Sequence, residues 1–125
     1  MRKAISILLV LVLTLTLFAG CGSKANENEI RIGINYELSG DVASYGNASV
    51  EGIELAIKQV NEAGGINGKL IKPIKYDNKS DHSQATTLAK KLMTQDKVVA
   101  VLGPATSGAF KATIPEAIKN KVVVA

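Results

Sequence analysis

The sequence predicts an α/β protein with three layers, in which helices cover both faces of a parallel β-sheet. From residue 30 onward, short apolar runs alternate with longer segments whose apolar residues recur every three or four positions. The short runs are typical of buried strands, and the longer period is typical of amphipathic helices. Their order along the chain is β-α-β-α-β-α-β, which favours parallel strands joined by right-handed crossovers.

The first strand is predicted over residues 30–36 and the first helix over residues 47–63. Residues 37–46, rich in Ser, Gly and Asp, are predicted to form the loop between them. Gly33, inside the strand, indicates that a neighbouring element approaches closely. The helix ends before a Gly-Gly pair, which readily adopts the left-handed conformation found at helix C-termini. Its buried stripe is predicted to consist of Val50, Ile53, Ala56, Ile57, Val60 and Ala63.

The second strand is predicted over residues 70–76. Pro73 favours a position at the edge of the sheet, because proline donates no ladder hydrogen bond. The second helix is predicted to begin after an N-cap at Asp81, with Gln84 three residues later as in a capping box, and to end near Gln95. Its buried stripe is predicted to consist of Ala85, Leu88, Ala89, Leu92 and Met93.

The third strand is predicted over residues 98–102, a continuous apolar run that indicates burial on both faces. A third helix is predicted over residues 107–120, kinked or restarted at Pro115. Residues 122–125 are predicted to form a fourth apolar strand, with no following element to cover it. We therefore expect the sequence to be a fragment, or one lobe of a larger protein.

Residues 1–20 have the pattern of a secretory signal peptide. A cationic start precedes an apolar run of about 15 residues, and small residues follow. The run is shorter than the ~20 residues that span a bilayer as a helix, and a retained membrane-anchor helix is the alternative. Arg2 and Lys3 lie inside this segment, so its removal lowers the formal net charge from +4 to +2. Residues 21–29 are predicted to be a polar tether.

Cys21 is the only cysteine, so no intramolecular disulfide can form. It lies where the signal peptide ends, and Phe18-Ala19-Gly20-Cys21 resembles the bacterial lipobox, with Phe18 where Leu is usual. The resemblance implies that the thiol carries a lipid and that Cys21 becomes the mature N-terminus. Two acyl chains suffice for stable anchoring. The alternative is a free thiol beside an ordinary cleavage site.

The loop residues exclude several kinds of chemistry. Gly103 and Gly108 have the spacing of a phosphate-binding P-loop, but Ala109 and Phe110 follow in place of Lys and Ser/Thr. A serine hydrolase needs a base, and the sole histidine, His82, is predicted at the solvated start of the second helix. The sequence also lacks a G-x-S-x-G motif, a metal-ligand cluster and a basic stripe with aromatic residues. We therefore expect no enzyme activity, cofactor, metal or nucleic-acid partner.

The loops after the first and third strands are predicted to form a site for a small carboxylate. If the strand order is 2-1-3-4, residues 37–46 and 103–108 meet at the carboxyl ends of adjacent strands, where doubly wound sheets bind ligands. Ser107 is predicted to begin the third helix, whose unpaired first-turn N–H groups and dipole favour an anion. Tyr45 in the facing loop is suited to contact an apolar ligand or donate a hydrogen bond. The alternatives are a simple N-cap role for Ser107 and loop packing for Tyr45.

Residues 30–78 resemble the opening of the branched-chain amino-acid binding proteins of ABC transporters. VLGPATSG, residues 101–108, resembles the third strand and ligand loop of that family. The family fold is of the type I periplasmic-binding-protein kind, with two α/β lobes that close around an amino acid. Residues 30–125 would then be part of the N-terminal lobe. The matching positions are Ser39-Gly40, Ala43, Tyr45-Gly46, Gly52, Asn61, Gly64-Gly65-Ile66 and Tyr76-Asp77.

The resemblance implies a role for individual loop residues. By position, Ser107 would bind the ligand α-carboxylate through its hydroxyl and backbone N–H. Tyr45 would lie near the ligand side chain, and Ala105 would line the side-chain pocket. The family segment that helps to hold the α-ammonium group would follow the last residue of this sequence. The predicted ligand-binding residues are Ser107, Tyr45, Ala105, Thr106 and Gly108.

The implied function is capture of a branched-chain amino acid outside the cytoplasm and its delivery to ABC permease subunits. The protein would be attached to the membrane through lipid on Cys21. Two alternatives stay open at this point. The same lobe serves as a ligand-sensing domain in receptors, and a flavodoxin-like sheet can also carry an enzyme.

Overall fold

Four parallel strands form a single sheet in the computed structural model, which describes residues 28–125. The signal peptide, Cys21 and most of the tether lie outside these residues. The strand order is β2-β1-β3-β4, the order on which the predicted meeting of the two loops was conditional, and the α/β class is confirmed. The elements are β1 Glu29–Tyr36, α1 Ala43–Glu62, β2 Leu70–Asp77, α2 His82–Thr94, β3 Ala100–Leu102, α3 Ser107–Asn120 and β4 Val123–Val124.

Two apolar cores lie on opposite faces of the sheet. On one face, Ile34 of β1 packs with Val50 and Ile57 of α1. On the other face, Leu92 of α2 and Val101 of β3 belong to a second cluster that also includes Ala117 of α3. This division makes the three layers that the alternating order of strands and helices predicts.

The face of strand β1 that packs against α2 carries a glycine and an asparagine in place of large apolar side chains. Gly33 lies beneath Leu92, where an added Cβ would come within 2.9 Å of a leucine methyl carbon, so the predicted close approach is confirmed. Asn35 is fully buried and donates a hydrogen bond to the Ala85 carbonyl of α2 at 2.9 Å. Alternate β1 residues therefore anchor α2 by small size or by hydrogen bonding instead of by apolar bulk.

The predicted start of the first helix is wrong by four residues. Helix α1 begins at Ala43, so Tyr45 and Gly46 belong to its first turn and not to the preceding loop. Glycine has a low helix propensity, so the sequence alone favours a helix that begins after Gly46. Gly46 is nevertheless helical because it packs on the backbone of Glu37, where an added Cβ would overlap the carbonyl oxygen.

Other predictions at strand and helix ends are confirmed. Pro73 lies in β2, which is at the edge of the sheet. Helix α2 is capped by Asp81, whose side chain accepts a hydrogen bond from the Gln84 N–H at 2.7 Å. Four residues of its predicted stripe are buried, and Leu88 is partly buried.

The third strand is shorter than predicted, because only Ala100–Leu102 form β3. Val99 is 60% exposed, so the expectation of burial on both faces fails at this end of the strand. Helix α3 has the predicted bounds and continues through Pro115 without restarting. Strand β4 pairs with β3 alone, and Val123 is 67% exposed. None of the helices in residues 28–125 is long and apolar enough to cross a membrane.

Candidate functional site

The candidate site lies where β1 and β3 end side by side. Ile34 pairs with Leu102 in the parallel register. Glu37 and Ala105 each follow three residues later, so the two loops leave the sheet together. The predicted meeting of the loops after the first and third strands is therefore present in the structure, at the point where strand order reverses.

Glu37 connects these two loops through its side chain. Its carboxylate accepts hydrogen bonds from the Ala105 N–H at 2.9 Å, the Thr106 N–H at 3.2 Å and the Thr106 hydroxyl at 2.8 Å. The side chain is fully buried. Burial raises the pKa of Glu37, but the hydrogen bonds from Ala105 and Thr106 outweigh it and leave the pKa below its ordinary value. The carboxylate is therefore ionised at neutral pH.

The N-terminus of α3 is left without a side-chain cap within the described residues. Thr106 occupies the N-cap position, yet its hydroxyl donates to Glu37 and makes no capping hydrogen bond. Ser107 and Gly108 follow in the first turn, and both are exposed. First-turn N–H groups have no partner within a helix, and the helix dipole adds a partial positive charge at this end. This end of α3 is thus suited to an anion.

A shallow depression of about 300 Å³ lies directly beside this helix end. Its walls combine the loop after β3 with the first two turns of α3, so backbone donors, a hydroxyl and an aromatic ring border the same space. Lys111 adds a cationic group. The lining residues are Pro104, Ala105, Thr106, Ser107, Phe110 and Lys111.

Tyr45 lies on the first turn of α1, beside Gly46, and its side chain is 68% exposed. Gly46 packs on the Glu37 carbonyl, while the Glu37 carboxylate holds Ala105 and Thr106. Glu37 therefore connects the turn that carries Tyr45 with the loop that precedes Ser107.

A second carboxylate organises the neighbouring loop. Asp77, at the end of β2, accepts hydrogen bonds from the Leu38 N–H at 3.0 Å, from the Ser39 N–H at 3.1 Å and from the Ser39 hydroxyl at 2.6 Å. The Lys79 N–H donates to it as well, at 2.8 Å. Burial raises the pKa of Asp77, and these donors more than offset the effect, so the pKa is lowered.

Three of the predicted ligand residues, Ala105, Ser107 and Gly108, are exposed where β3 leads into α3. Thr106 lies between them, but its N–H and hydroxyl both donate inward to Glu37. The ligand roles of these residues and of Tyr45 remain predictions. Among residues 28–125 no cluster of His, Cys, Asp and Glu side chains could hold a metal ion.

Glu37 is the residue that sequence reasoning missed, because it stands at the start of a loop rich in Ser, Gly and Asp. One signal could have found it. Gly33, Asn35 and Glu37 alternate with the apolar residues of β1, and in a sheet covered on both faces they must lie against helices or loops. A carboxylate on such a face needs hydrogen-bond donors from a neighbouring element.

The fold and the sequence identify the family. The sequence profile described as periplasmic binding protein matches residues 29–125. The chain belongs to this family. Membership implies a location outside the cytoplasm, and the relatives are named as binding proteins and not as enzymes.

Among curated relatives, an amino acid binding protein of Pseudomonas aeruginosa is 40% identical over 72 residues, which cover 58% of this chain and 19% of the relative. The leucine-, isoleucine-, valine-, threonine- and alanine-binding protein of the same organism is 38% identical over 74 residues, 59% of this chain and 20% of the relative. The matched part of this chain thus spans about a fifth of each relative's length.

Solved structures of this family include ligand complexes. The branched-chain amino acid transporter substrate binding protein LivJ of Streptococcus pneumoniae, in complex with isoleucine, has a TM-score of 0.76 and 47% identity, covering 77% of this chain and 28% of LivJ. A solute binding protein of Rhodopseudomonas palustris, in complex with 3,4-dihydroxybenzoic acid, has a TM-score of 0.72 and 28% identity, covering 78% of this chain and 26% of that one.

Proposed function

We propose that this protein binds a branched-chain amino acid outside the cytoplasm for import by an ABC transporter, and that it has no catalytic activity. The observation that carries the proposal is the uncapped N-terminus of α3, with exposed Ser107 and Gly108 beside the depression in the β3–α3 loop. Such a helix end has N–H donors for a carboxylate, and the Ser107 hydroxyl adds one more.

The proposed ligand is anchored by its α-carboxylate at Ser107 and Gly108. Thr106 takes part indirectly, because both of its donors already bind Glu37. Isoleucine and 3,4-dihydroxybenzoic acid, the ligands of the two related structures, share a carboxylate although their remaining parts differ. Both ligands are consistent with a site that binds the carboxylate in the same way and differs between relatives in the residues around the rest of the ligand.

The ligand side chain is proposed to lie against Ala105 and Tyr45. Both are exposed in the structure, and Tyr45 offers a large apolar ring with a polar tip. The curated relatives named for leucine, isoleucine and valine favour a branched aliphatic side chain.

Isothermal titration calorimetry of the complete gene product with leucine, isoleucine and valine tests the proposal. We expect saturable binding, and we expect Ser107→Ala to weaken it about tenfold, the usual effect of losing one hydrogen bond to a charged group. Leucinamide, which lacks the carboxylate, is expected to bind at least about tenfold more weakly than leucine for the same reason.

Ser83→Ala is the matched control, because Ser83 lies in the exposed first turn of α2 as Ser107 does in α3. It should leave the Kd unchanged. Absence of heat with every amino acid, or an unchanged Kd in Ser107→Ala, would contradict the proposal. Tight binding of 3,4-dihydroxybenzoate but not of leucine would indicate that the ligand is a different class of carboxylate.

We further propose that residues 1–20 are removed as a signal peptide and that Cys21 is lipidated. The support is the apolar segment of residues 4–18 and the lipobox-like residues before Cys21. Mass spectrometry of the protein from membranes should find a lipid-modified N-terminal cysteine. Cys21→Ser should release the protein from the membrane fraction. An unmodified Cys21 thiol in the mature protein would contradict lipidation.

The second candidate is a sensing domain of the same fold in a receptor. Transport is favoured because the related solved structures are described as binding proteins of transporters. Neighbouring genes decide between the two functions. Permease and ATPase genes beside this one are expected for transport, whereas a kinase or cyclase domain downstream would indicate sensing.

A further inference from the structure

We propose that Glu37 is a positioning residue for ligand recognition. Its buried carboxylate keeps the first-turn N–H groups of α3 uncapped and directed toward the ligand. The inference rests on the proposed function, because it concerns the same site. Glu37 itself does not contact the ligand in this proposal. It acts through Ala105 and Thr106, which it binds directly.

Thr106, the N-cap residue of α3, uses its hydroxyl in an unusual way. A threonine at the N-cap ordinarily turns its hydroxyl toward the N–H groups of the second or third helical residue. In α3 the Thr106 hydroxyl donates to Glu37 instead, at 2.8 Å, and no side-chain cap forms. Glu37 therefore draws the natural cap away from the first-turn N–H groups, which remain available to an external anion.

Glu37 also aligns the loop that precedes α3. Two successive N–H groups, of Ala105 and Thr106, point at one carboxylate that is fully buried. Both oxygens of the carboxylate are used, one by Ala105 and the other by Thr106. This arrangement fixes the direction in which the chain enters α3, and thus the direction in which the Ser107 N–H and hydroxyl face.

The main chain of Glu37 contacts α1 as well. The Glu37 carbonyl oxygen lies against Gly46, where an added Cβ would overlap it. The main chain of Glu37 thus contacts the first turn of α1, and its side chain contacts the entry to α3. Because Tyr45 precedes Gly46 and Ser107 follows Thr106, Glu37 sets the spacing between two residues predicted to bind the ligand.

Glu37→Gln in the complete protein tests the inference. The amide has nearly the same shape, but its NH₂ group donates where a carboxylate oxygen accepts, so it cannot satisfy the donors from both Ala105 and Thr106. We expect the Kd for the amino acid to rise about tenfold, because a misaligned α3 N-terminus would lose one hydrogen bond to the ligand carboxylate. The thermal midpoint of the ligand-free protein is measured in parallel.

Asp81→Ala is the matched control. It removes a carboxylate that accepts from a backbone N–H of α2 and not from the loop before α3, so it should lower the midpoint without changing the Kd. If Glu37→Gln folds poorly, Thr106→Val removes one of the three hydrogen bonds to Glu37. We expect Thr106→Val to weaken binding and Thr106→Ser, which keeps the hydroxyl, to restore it.

Two outcomes would overturn the inference while leaving the proposed function intact. One is amino-acid binding that is unchanged or tighter in Glu37→Gln, and the other is a Kd of Thr106→Ser no better than that of Thr106→Val. Absence of amino-acid binding by the unmodified protein would instead overturn the proposed function, and the inference with it. A lower thermal midpoint with an unchanged Kd would show a purely structural role for Glu37.

Discussion

The N-termini of α2 and α3 lie side by side, but within residues 28–125 only that of α2 is capped by the side chain of its own N-cap residue. Asp81 accepts from the Gln84 N–H at 2.7 Å, whereas the corresponding Thr106 directs its hydroxyl to Glu37. The two helix ends approach so closely that the ring of His82 lies within 2.6 Å of the position of an added Cβ on Gly108.

The difference shows that a helix N-terminus can either stabilise the fold through a cap or remain available to bind an anion. A helix end satisfied by an internal carboxylate contributes stability and is no longer free for an external anion. A helix end whose cap residue is drawn away keeps its donors and its dipole for an external anion. In this chain Asp81 and Glu37 are both carboxylates, and the group that each one binds decides the outcome.

The largest expected effect comes from giving α3 a carboxylate of its own. Ser107→Asp places a negative charge in the first turn, where it is favourable for the helix but repels a ligand carboxylate. We expect amino-acid affinity in the complete protein to fall about a hundredfold, since like charges in contact cost several kcal/mol. Ser83→Asp in the first turn of α2 is the control and should bind normally. Retained affinity in Ser107→Asp would place the ligand elsewhere.

Acidification is expected to act on the carboxylates that hold the loops. Because the folded pKa of Glu37 lies below its ordinary value, its contribution to stability is complete above that ordinary value. It is lost as the pH falls through the folded pKa, with a slope of up to about 1.4 kcal/mol per pH unit for one proton. Urea denaturation of the complete protein between pH 7 and pH 3 measures this loss, and Glu37→Gln should flatten the curve. An equally steep curve in Glu37→Gln would assign the loss to other carboxylates, such as Asp77.

Removing the α2 cap should produce a smaller effect, confined to stability. Asp81→Ala is expected to lower the free energy of unfolding by about 1 kcal/mol, and Asp81→Asn by only a few tenths, since asparagine also caps well. Thermal or urea denaturation measures the change, and calorimetry should show an unchanged Kd. Weakened amino-acid binding in Asp81→Ala would mean that the two helix ends are not functionally separate.

The parts of the fold that depend on local patterns could be predicted from the sequence. The parallel sheet of alternating strands and helices follows from the apolar periods, the edge position of β2 from Pro73, and the α2 cap from Asp81 and Gln84. Each of these rests on residues close together in the chain, where propensity and hydrogen-bonding chemistry act directly.

The parts that depend on contacts between distant residues could not be predicted. The start of α1 is set by Gly46 against the Glu37 carbonyl, a tertiary contact that outweighs the low helix propensity of glycine. The role of Glu37 depends on Ala105 and Thr106, 68 and 69 residues away. The position of Ser107 at the start of α3 was predictable, but the reason for its uncapped helix end was not.

The smallest expected effect tests how tightly the two helix ends are coupled. Gly108→Ala adds helix propensity worth up to about 1 kcal/mol, but its Cβ meets the ring of His82 in the first residue of α2. Gly108→Ala should therefore raise the free energy of unfolding more in a His82→Ala background, where that ring is absent. A double-mutant cycle by urea denaturation is expected to give a coupling of about 0.5 kcal/mol, near the lower end for residues in contact. Gly52→Ala, on α1 where nothing lies within 4 Å of the added Cβ, provides the uncoupled reference. If Gly108→Ala stabilises the protein equally with and without His82, the two helix ends are independent, and the contrast between them rests on Asp81 and Glu37 alone.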